Sequence, residues 1–262
     1  MLNILFLGDI VGRPGREAVQ KLLPQIRQQY SINYCIANGE NAAHGTGLTR
    51  DVADELFSLG IDVITGGNHI WDKKEILSFI DDYPRVVRPY NYPPGAPGRG
   101  VFVTELGMPP RPLAVISLMG RVFMPPVDCP FRAVDCALAE LPRDTTVLID
   151  FHAEATSEKL ALGFYLDGRV TAIVGTHTHV QTADERLLPK GTAYLSDVGM
   201  CGPHFSVLGI QVDAVVRRFT SGLPTKFDVA DGIGILSGVV LRIDPVSRQV
   251  VSVPERIQRL IP

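Results

Sequence analysis

Residues 2–9 of the chain read Leu-Asn-Ile-Leu-Phe-Leu-Gly-Asp, an apolar run that ends in a carboxylate. The same pattern recurs through the first 180 residues, where apolar runs end at Gly, Asn or His and are followed by segments with helical periodicity. Runs that are apolar throughout are typical of strands buried on both faces, and their alternation with helices is typical of a largely parallel sheet. The sequence therefore predicts an α/β fold.

Seven of these runs are predicted to be strands. They cover residues 2–8, 33–37, 61–65, 112–118, 145–151, 170–175 and 192–196. Helices are predicted at residues 14–30, 49–59, 72–81, 131–141, 156–165 and 208–221. Near the end of the chain, residues 236–243 and 249–257 look like an antiparallel hairpin that completes a mixed sheet. Because no repeat is visible, we expect one domain over residues 1–262.

The starts of three predicted helices carry capping signals. Asp72 followed by Glu75 fits a capping box, in which each side chain would bond a free backbone N–H of the first turn. Thr49 and Thr156 stand where an N-cap residue would accept such a bond. Pro24 falls inside the first helical pattern, where we expect it to kink the helix.

The composition excludes several classes of protein. The 262 residues are 45% hydrophobic and 20% charged, with a formal net charge of −3 and a pI of about 6.1. Such a chain lacks the positive electrostatic field that binds the backbone of duplex nucleic acid. A bilayer span needs about 20 apolar residues in a row, and none is present, so we expect no membrane contact. The N-terminus lacks a basic signal region, and the four cysteines form no C-x-x-C pair, so we expect a cytoplasmic protein.

The chemistry is concentrated where predicted strands end. Residues able to bind a metal follow five strands directly or within a few positions: Asp9, Glu40, Asn41, Asn68, His69, His152, His177 and His179. Singly, each is more often a cap, a turn former or a hydrogen-bonded core group. In open α/β sheets, however, the carboxyl ends of parallel strands meet at one edge, and ligands bind there. Four of the six histidines fall at these ends, which favours a common site.

The residue types favour a catalytic metal. Carboxylate, carboxamide and imidazole groups without thiolate are typical of Fe, Mn or Zn sites. The donors exceed the needs of one ion, and two ions about 3.5–4 Å apart, bridged by a carboxylate, are a common arrangement for phosphate-ester hydrolysis. His177 and His179 would project to the same side in extended backbone, so that one could serve each ion.

Other motifs are weaker. The turn at residues 8–15 lacks the G-x-G-x-x-G spacing of a dinucleotide-binding loop. Cys201 lies near His204 in the sequence, which leaves a thiol–imidazole pair as an alternative. His44 stands close to the strand-end residues and either contacts substrate or belongs to an ordinary loop.

Long motifs of this chain closely resemble those of the YmdB-type bacterial metallophosphoesterases. They are Gly8-Asp9-Ile10-Val11-Gly12, Asn38-Gly39-Glu40-Asn41-Ala42-Ala43, Gly67-Asn68-His69, Asp150-Phe151-His152-Ala153-Glu154 and Gly175-Thr176-His177-Thr178-His179. The resemblance extends over essentially the whole chain, through residues 189–194 and 236–240. That family is similar to the calcineurin-like superfamily, so the resemblance implies a metallophosphoesterase fold, a central mixed β-sandwich flanked by helices on both sides.

The resemblance also implies a function. It points to a two-iron phosphodiesterase, with Mn or Zn as alternative metals, in which a metal-bound hydroxide attacks a cyclic nucleotide. The substrate would be a small nucleotide, 2′,3′-cyclic in particular and 3′,5′-cyclic as a further candidate; a homo-oligomer is left open. By this resemblance the first ion would be held by Asp9, Asn41 and His179, and the second by Asn68, His152 and His177. Glu40 would bridge the two ions, and His69 would be the proton donor.

Rival functions belong to other classes. The same cluster with a different pocket would make a metal-dependent phosphatase that acts on other phosphate esters. A nucleotide-binding regulatory protein with weak turnover would keep the pocket and lose most of the catalysis. A dehydrogenase would need nicotinamide binding at the first glycine-rich turn, for which the sequence offers little.

Overall fold

The computed structural model describes residues 1–261. The strands are β1 (Leu2–Leu7), β2 (Asp9–Ile10), β3 (Tyr34–Asn38), β4 (Val63–Thr65), β5 (Val86–Val87), β6 (Val101–Leu106), β7 (Arg111–Met119), β8 (Thr146–His152), β9 (Ala172–Thr176), β10 (Arg186–Leu187), β11 (Ala193–Leu195), β12 (Met200–Pro203), β13 (Gly234–Ile243) and β14 (Glu255–Leu260). The helices are α1 (Gly12–Gln29), α2 (Arg50–Ser58), α3 (Pro130–Glu140), α4 (Thr156–Leu166) and α5 (Val212–Ser221). Each of the seven predicted strands has a counterpart.

The strands form two mixed sheets. The first has the order β2-β12-β13-β1-β3-β4-β5, with β14 paired to β13, and the second has the order β10-β11-β9-β8-β7-β6. In the first sheet, β1, β3, β4 and β5 run parallel, and β13 is antiparallel to β1. In the second, β7, β8, β9 and β11 run parallel, between antiparallel edge strands. The predicted C-terminal hairpin is confirmed, although its second strand begins at Glu255.

Alternation of side chains along the strands divides the interior into three layers. In β1, Ile4 and Phe6 face the second sheet and pack in one apolar core with Val115 of β7. Leu5 faces the other way and packs beneath α1 in a separate core. On the far side of the second sheet, α3 and α4 cover a third core that includes Phe151. The predicted β-sandwich with helices on both sides is confirmed.

This topology brings the carboxyl ends of the central strands to one edge. In the register of the first sheet, Leu7 pairs with Ala37, and in the second His152 pairs with Thr176. Glycine allows loops to cross these ends closely: a Cβ atom at Gly175 would lie 1.8 Å from the carbonyl oxygen of Ser196. The strand ends and their loops can therefore pack into one compact site.

The predicted helix over residues 72–81 is wrong. The segment forms two short 3-10 helices, Lys74–Ser78 and Ile80–Asp82. The residues of the predicted capping box make other contacts: the Asp72 carboxylate lies 2.8 Å from His69 Nδ1, and Glu75 Oε1 accepts from the backbone N–H of Arg50 at 3.1 Å. Without its caps, the first turn of an α-helix is not stabilised here.

The remaining helix predictions differ in detail. Thr49 is the N-cap of α2, and its Oγ1 accepts from the backbone N–H of Val52 at 3.4 Å, as predicted. The cap of α4 is Ala155 rather than Thr156. The last helix begins at Val212 instead of residue 208, because Leu208 and Gly209 have φ values of 54° and 95°, which a right-handed helix cannot include. Within residues 1–261, no helix combines the length and apolar character that a bilayer span demands.

Candidate metal centre

The structure brings the seven predicted ligands together at the strand ends. Asp9 begins β2, one residue beyond the end of β1, and His152 is the last residue of β8. The others lie in the loops that follow β3, β4 and β9: Glu40, Asn41, Asn68, His177 and His179. Asp9, Glu40 and His152 are completely buried, so their polar atoms depend on each other or on a ligand.

One group of donors surrounds the outer nitrogen of His152. Its Nε2 lies 2.9 Å from Asn68 Oδ1, 3.0 Å from Glu40 Oε1 and 3.1 Å from His177 Nδ1. The ligand atoms of Glu40, His152 and His177 all lie within 4.8 Å of one another. We call Asn68, His152 and His177 the His152 set.

A second group lies around His179. Its Nε2 is 3.7 Å from Asp9 Oδ1 and 3.3 Å from the amide of Asn41. Rotating that amide by 180° exchanges its nitrogen and oxygen at this position. Asp9 Oδ1 is buried and makes no hydrogen bond, while Asp9 Oδ2 accepts from the backbone N–H of His177 at 3.1 Å. We call Asp9, Asn41 and His179 the Asp9 set.

Glu40 lies between the two sets. Its Oε1 is 3.0 Å from His152 Nε2 and 3.5 Å from the amide of Asn41. Its Oε2 accepts from the backbone N–H of His69 at 3.0 Å. A single carboxylate thus reaches a member of each set and also fixes the loop that carries His69.

The electrostatics of the cluster fit a cation. Burial lowers the pKa of His152, but the carboxylates of Glu40, Asp9 and Asp150 together outweigh burial and raise this pKa to about 9. Burial together with the neighbouring His152 lowers the pKa of His177 to about 4. Burial would raise the pKa of Asp9, yet the imidazoles of His179 and His152 hold it below its ordinary value. A buried carboxylate oxygen without a partner, beside imidazole nitrogens that face one another, is a donor set that fits a transition metal.

The second ring nitrogen of each histidine is held in place. His152 Nδ1 lies 2.9 Å from Thr176 Oγ1, which donates to Asp150 Oδ1 at 2.7 Å. His177 Nε2 lies 3.0 Å from Glu154, and His179 Nδ1–H donates to the backbone carbonyl of Leu208 at 3.0 Å. Such partners fix the orientation and tautomer of metal-binding histidines.

Sequence reasoning missed Asp150 and Thr176 as supporting residues. A signal was available, because Asp150 stands two positions before His152 in a strand and so points to the same face. The carboxylate of Asp150 is completely buried and also accepts from Thr65 and Asn38. Its burial raises the pKa of Asp150 to about 6, although the charge of His152 and the hydrogen bonds from Thr65 and Thr176 oppose the shift.

The predicted extended backbone at His177 and His179 is wrong. Strand β9 ends at Thr176, and the two histidines have φ values of 98° and 64°. They therefore do not project to one side by strand alternation. With this left-handed backbone at both positions, His177 lies beside His152 and His179 lies beside Asp9.

A cavity of about 440 Å³ opens beside the cluster. Its lining includes Glu40, Asn41, His177 and His179 together with His44 and His69. His69 is partly exposed, and its Nδ1 lies 2.8 Å from the carboxylate of Asp72. The structure thus places His69 and His44 on the wall of the cavity, outside both sets.

The geometry does not support the Cys201–His204 pair. Cys201 lies in the core beneath α1, and its Sγ donates to the carbonyl of Ser237. Burial raises the pKa of this thiol to about 12. His204 is exposed and contacts Phe205.

A mixed β-sandwich flanked by helices, with carboxylate, carboxamide and imidazole donors gathered at its strand ends, defines a metallophosphoesterase, a class that implies divalent metal ions. The chain belongs to the YmdB-like protein family, whose sequence model matches residues 5–257. The resemblance seen in the motifs is confirmed, and the chain is an enzyme of this class.

Individual relatives agree with this assignment. The chain is 54% identical over 258 residues to a protein of Bacillus subtilis (strain 168) named 2′,3′-cyclic-nucleotide 2′-phosphodiesterase, covering 98% of this chain and 96% of that protein. A crystal structure described as a hypothetical protein from Thermus thermophilus superposes with a TM-score of 0.91 and 44% identity, covering 98% of this chain and 100% of that one. A crystal structure described as a novel phosphatase from Mycoplasma pneumoniae gives a TM-score of 0.93 and 36% identity, covering 99% and 93%.

Proposed function

We propose that the chain hydrolyses 2′,3′-cyclic nucleotides at a centre of two transition-metal ions. One observation carries the proposal: the strand ends supply two sets of donors with Glu40 between them, which is more than a single ion needs. The name of the Bacillus subtilis relative supports the substrate class. By that name, water adds to phosphorus, the bond to O2′ breaks, and O2′ takes a proton to leave a 3′-nucleotide.

The residues are assigned by set. Asp9, Asn41 and His179 would hold one ion, Asn68, His152 and His177 the other, and Glu40 would contact both. The chemistry that such a pair supplies when bound is Lewis-acid activation of water and neutralisation of charge on the phosphoryl oxygens. The donor types suit Fe, Mn or Zn, of which iron is the ion that the family resemblance implies.

His69 is proposed as the group that protonates the departing O2′. A ribose alkoxide is a poor leaving group, so a positioned acid assists its departure. Asp72 holds His69 Nδ1 at 2.8 Å, and Glu40 holds its backbone N–H, so the ring is fixed on the cavity wall.

A substrate panel tests the proposal. Protein purified anaerobically and loaded with iron or manganese is assayed on 2′,3′-cyclic AMP, 3′,5′-cyclic AMP and p-nitrophenyl phosphate, with products separated by chromatography. We expect the highest kcat/KM on 2′,3′-cyclic AMP, with 3′-AMP as the product. Higher kcat/KM on the monoester would favour the phosphatase, and binding without turnover would favour the regulatory protein. His152→Ala, prepared in the same way, controls for contaminating activity.

A further inference from the structure

The cavity beside the metal ligands has an apolar wall that hydrolysis of a phosphodiester does not itself require. Its members are Leu208, Ile210, Phe227 and Val229. Apolar groups with a few polar groups at one end are typical of sites for small organic ligands. This wall therefore points to a ligand that carries a hydrophobic part next to its phosphate.

The wall is joined to the metal ligands. The carbonyl of Leu208 accepts from His179 Nδ1 at 3.0 Å, so the wall is hydrogen-bonded directly to a member of the Asp9 set. The wall consists of two segments, residues 208–210 and 227–229, which are hydrogen-bonded to each other through the backbone. The N–H of Ala230 donates to the carbonyl of Gly209 at 2.9 Å, and the N–H of Gln211 donates to the carbonyl of Asp228 at 3.0 Å. A ligand whose phosphate lies at the cluster would meet a preformed surface.

Phe227 offers an aromatic ring to the cavity. Its side chain is 48% exposed and belongs to none of the three apolar cores that the described residues form. Every nucleobase has a flat π-face, and stacking on an aromatic side chain contributes to binding with little dependence on sequence. Phe227 is thus suited to contact a base.

The charged residues that line the cavity limit the number of phosphate groups that a ligand can carry. No lysine or arginine lines the cavity in the part of the chain that the structure describes, whereas Glu40 and Glu154 do. A single phosphodiester charge can lie at the metal ligands. A second phosphate in this cavity would meet no cationic side chain, and the carboxylates of the lining would repel it.

We propose that Leu208, Ile210, Phe227 and Val229 form a nucleobase subsite, and that the enzyme selects cyclic monophosphates of single nucleosides without further phosphate groups. The proposal rests on the proposed function and deepens it. Phe227 is assigned as a specificity-determining residue.

Phe227→Ala tests the subsite, with Phe219→Ala as the matched control. Phe219 is 84% exposed on α5 and does not line the cavity. We expect Phe227→Ala to raise KM for 2′,3′-cyclic AMP by roughly 5- to 50-fold, the scale of losing one base stack. Its kcat should change little, and KM for glycerol 1,2-cyclic phosphate, which has no base, should stay the same. Phe227→Tyr should restore most of the affinity.

A comparison of two nucleotides as substrates of the wild-type enzyme tests whether additional phosphate groups are excluded. Addition of a 5′-phosphate to 2′,3′-cyclic AMP should lower kcat/KM by at least about tenfold, since each 1.4 kcal/mol of lost interaction is a factor of ten. Equal kcat/KM on the two nucleotides would overturn this part. A rise in KM that is the same with and without a base, or the same in Phe219→Ala, would overturn the subsite.

Binding of adenosine gives a reading that does not depend on turnover. Saturation-transfer NMR should show contact to the adenine protons in the wild type and in Phe219→Ala, and loss of that contact in Phe227→Ala. Failure of the wild type to hydrolyse any cyclic nucleotide would refute the proposed function, while unchanged adenosine contact in Phe227→Ala would refute the subsite alone.

Discussion

His152 and His179, one histidine from each ligand set, are supported by different parts of the molecule. His152 is completely buried, and its Nδ1 is connected through Thr176 to the buried carboxylate of Asp150. All three residues lie in β8 and β9 of the second sheet. His179 is 13% exposed, stands in left-handed backbone, and is held by the backbone carbonyl of Leu208 in a surface turn. The comparison indicates that the sheet fixes His152, whereas the position of His179 depends on the conformation of one loop.

Glu40→Gln should have the largest effect, because this residue reaches both sets. Losing the charge would weaken the binding of both proposed ions. Because each ion would lower the barrier by several kcal/mol, we expect turnover to fall by roughly 10⁴-fold or more. Metal content, measured by mass spectrometry, should fall below one equivalent. Glu55→Gln on α2, a half-exposed partner of Arg16, serves as the control. One fully retained equivalent would show that Glu40 belongs to only one set.

His69→Ala should impair chemistry while leaving both sets intact. We expect a loss of roughly 10²–10⁴ in rate on a cyclic nucleotide, the usual contribution of a general acid, with unchanged metal content. On bis(p-nitrophenyl) phosphate, whose leaving group is stable without a proton, the loss should be much smaller. Equal losses on both substrates, or a metal-depleted variant, would remove His69 from the role of proton donor.

Asp150→Asn tests the support of His152 by the sheet. The substitution keeps the shape but weakens the acceptor for Thr176, so we expect the affinity of the His152 set for its ion to fall by roughly 10- to 100-fold. Competition with a chelator measures this affinity. Asp135→Asn, at a surface ion pair with Arg169, should leave it unchanged. A loss of affinity confined to the Asp9 set would reverse the comparison.

Gly209→Ala tests the support of His179 by the loop and should have the smallest effect on activity. Gly209 has a φ of 95°, and an added Cβ would lie 2.7 Å from Val11, so the turn that carries Leu208 must shift. We expect a loss of stability of about 1–3 kcal/mol and a few-fold weaker binding of the ion assigned to the Asp9 set. Gly222 also has a positive φ, but no atom lies within 4 Å of an added Cβ. Gly222→Ala should therefore lose stability from backbone strain without losing metal affinity. Equal metal affinities in the two variants would contradict loop support.

Patterns local to a strand were predictable from the sequence. Apolar runs located β1, β3, β8 and β9, and the polar residues at their ends located the cluster, because strand ends share an edge whatever the details of packing. The same logic extended two positions back from His152 would have found Asp150.

Features set by long-range contacts were not predictable. The helix over residues 72–81 failed because Asp72 and Glu75 bind His69 and Arg50 instead of capping their own turn. The positive φ values at His177 and His179 accompany contacts of those side chains with residues far away in sequence. Nothing in the local residue types signals either arrangement.

Metal stoichiometry tests the central claim most directly. Protein purified anaerobically and loaded with iron or manganese is freed of unbound metal, and metal per chain is measured together with turnover of 2′,3′-cyclic AMP. We predict that activity rises to its maximum only as the second equivalent binds, so that fully active protein holds close to two ions per chain. Full activity at one equivalent would contradict a centre in which Glu40 joins two sets.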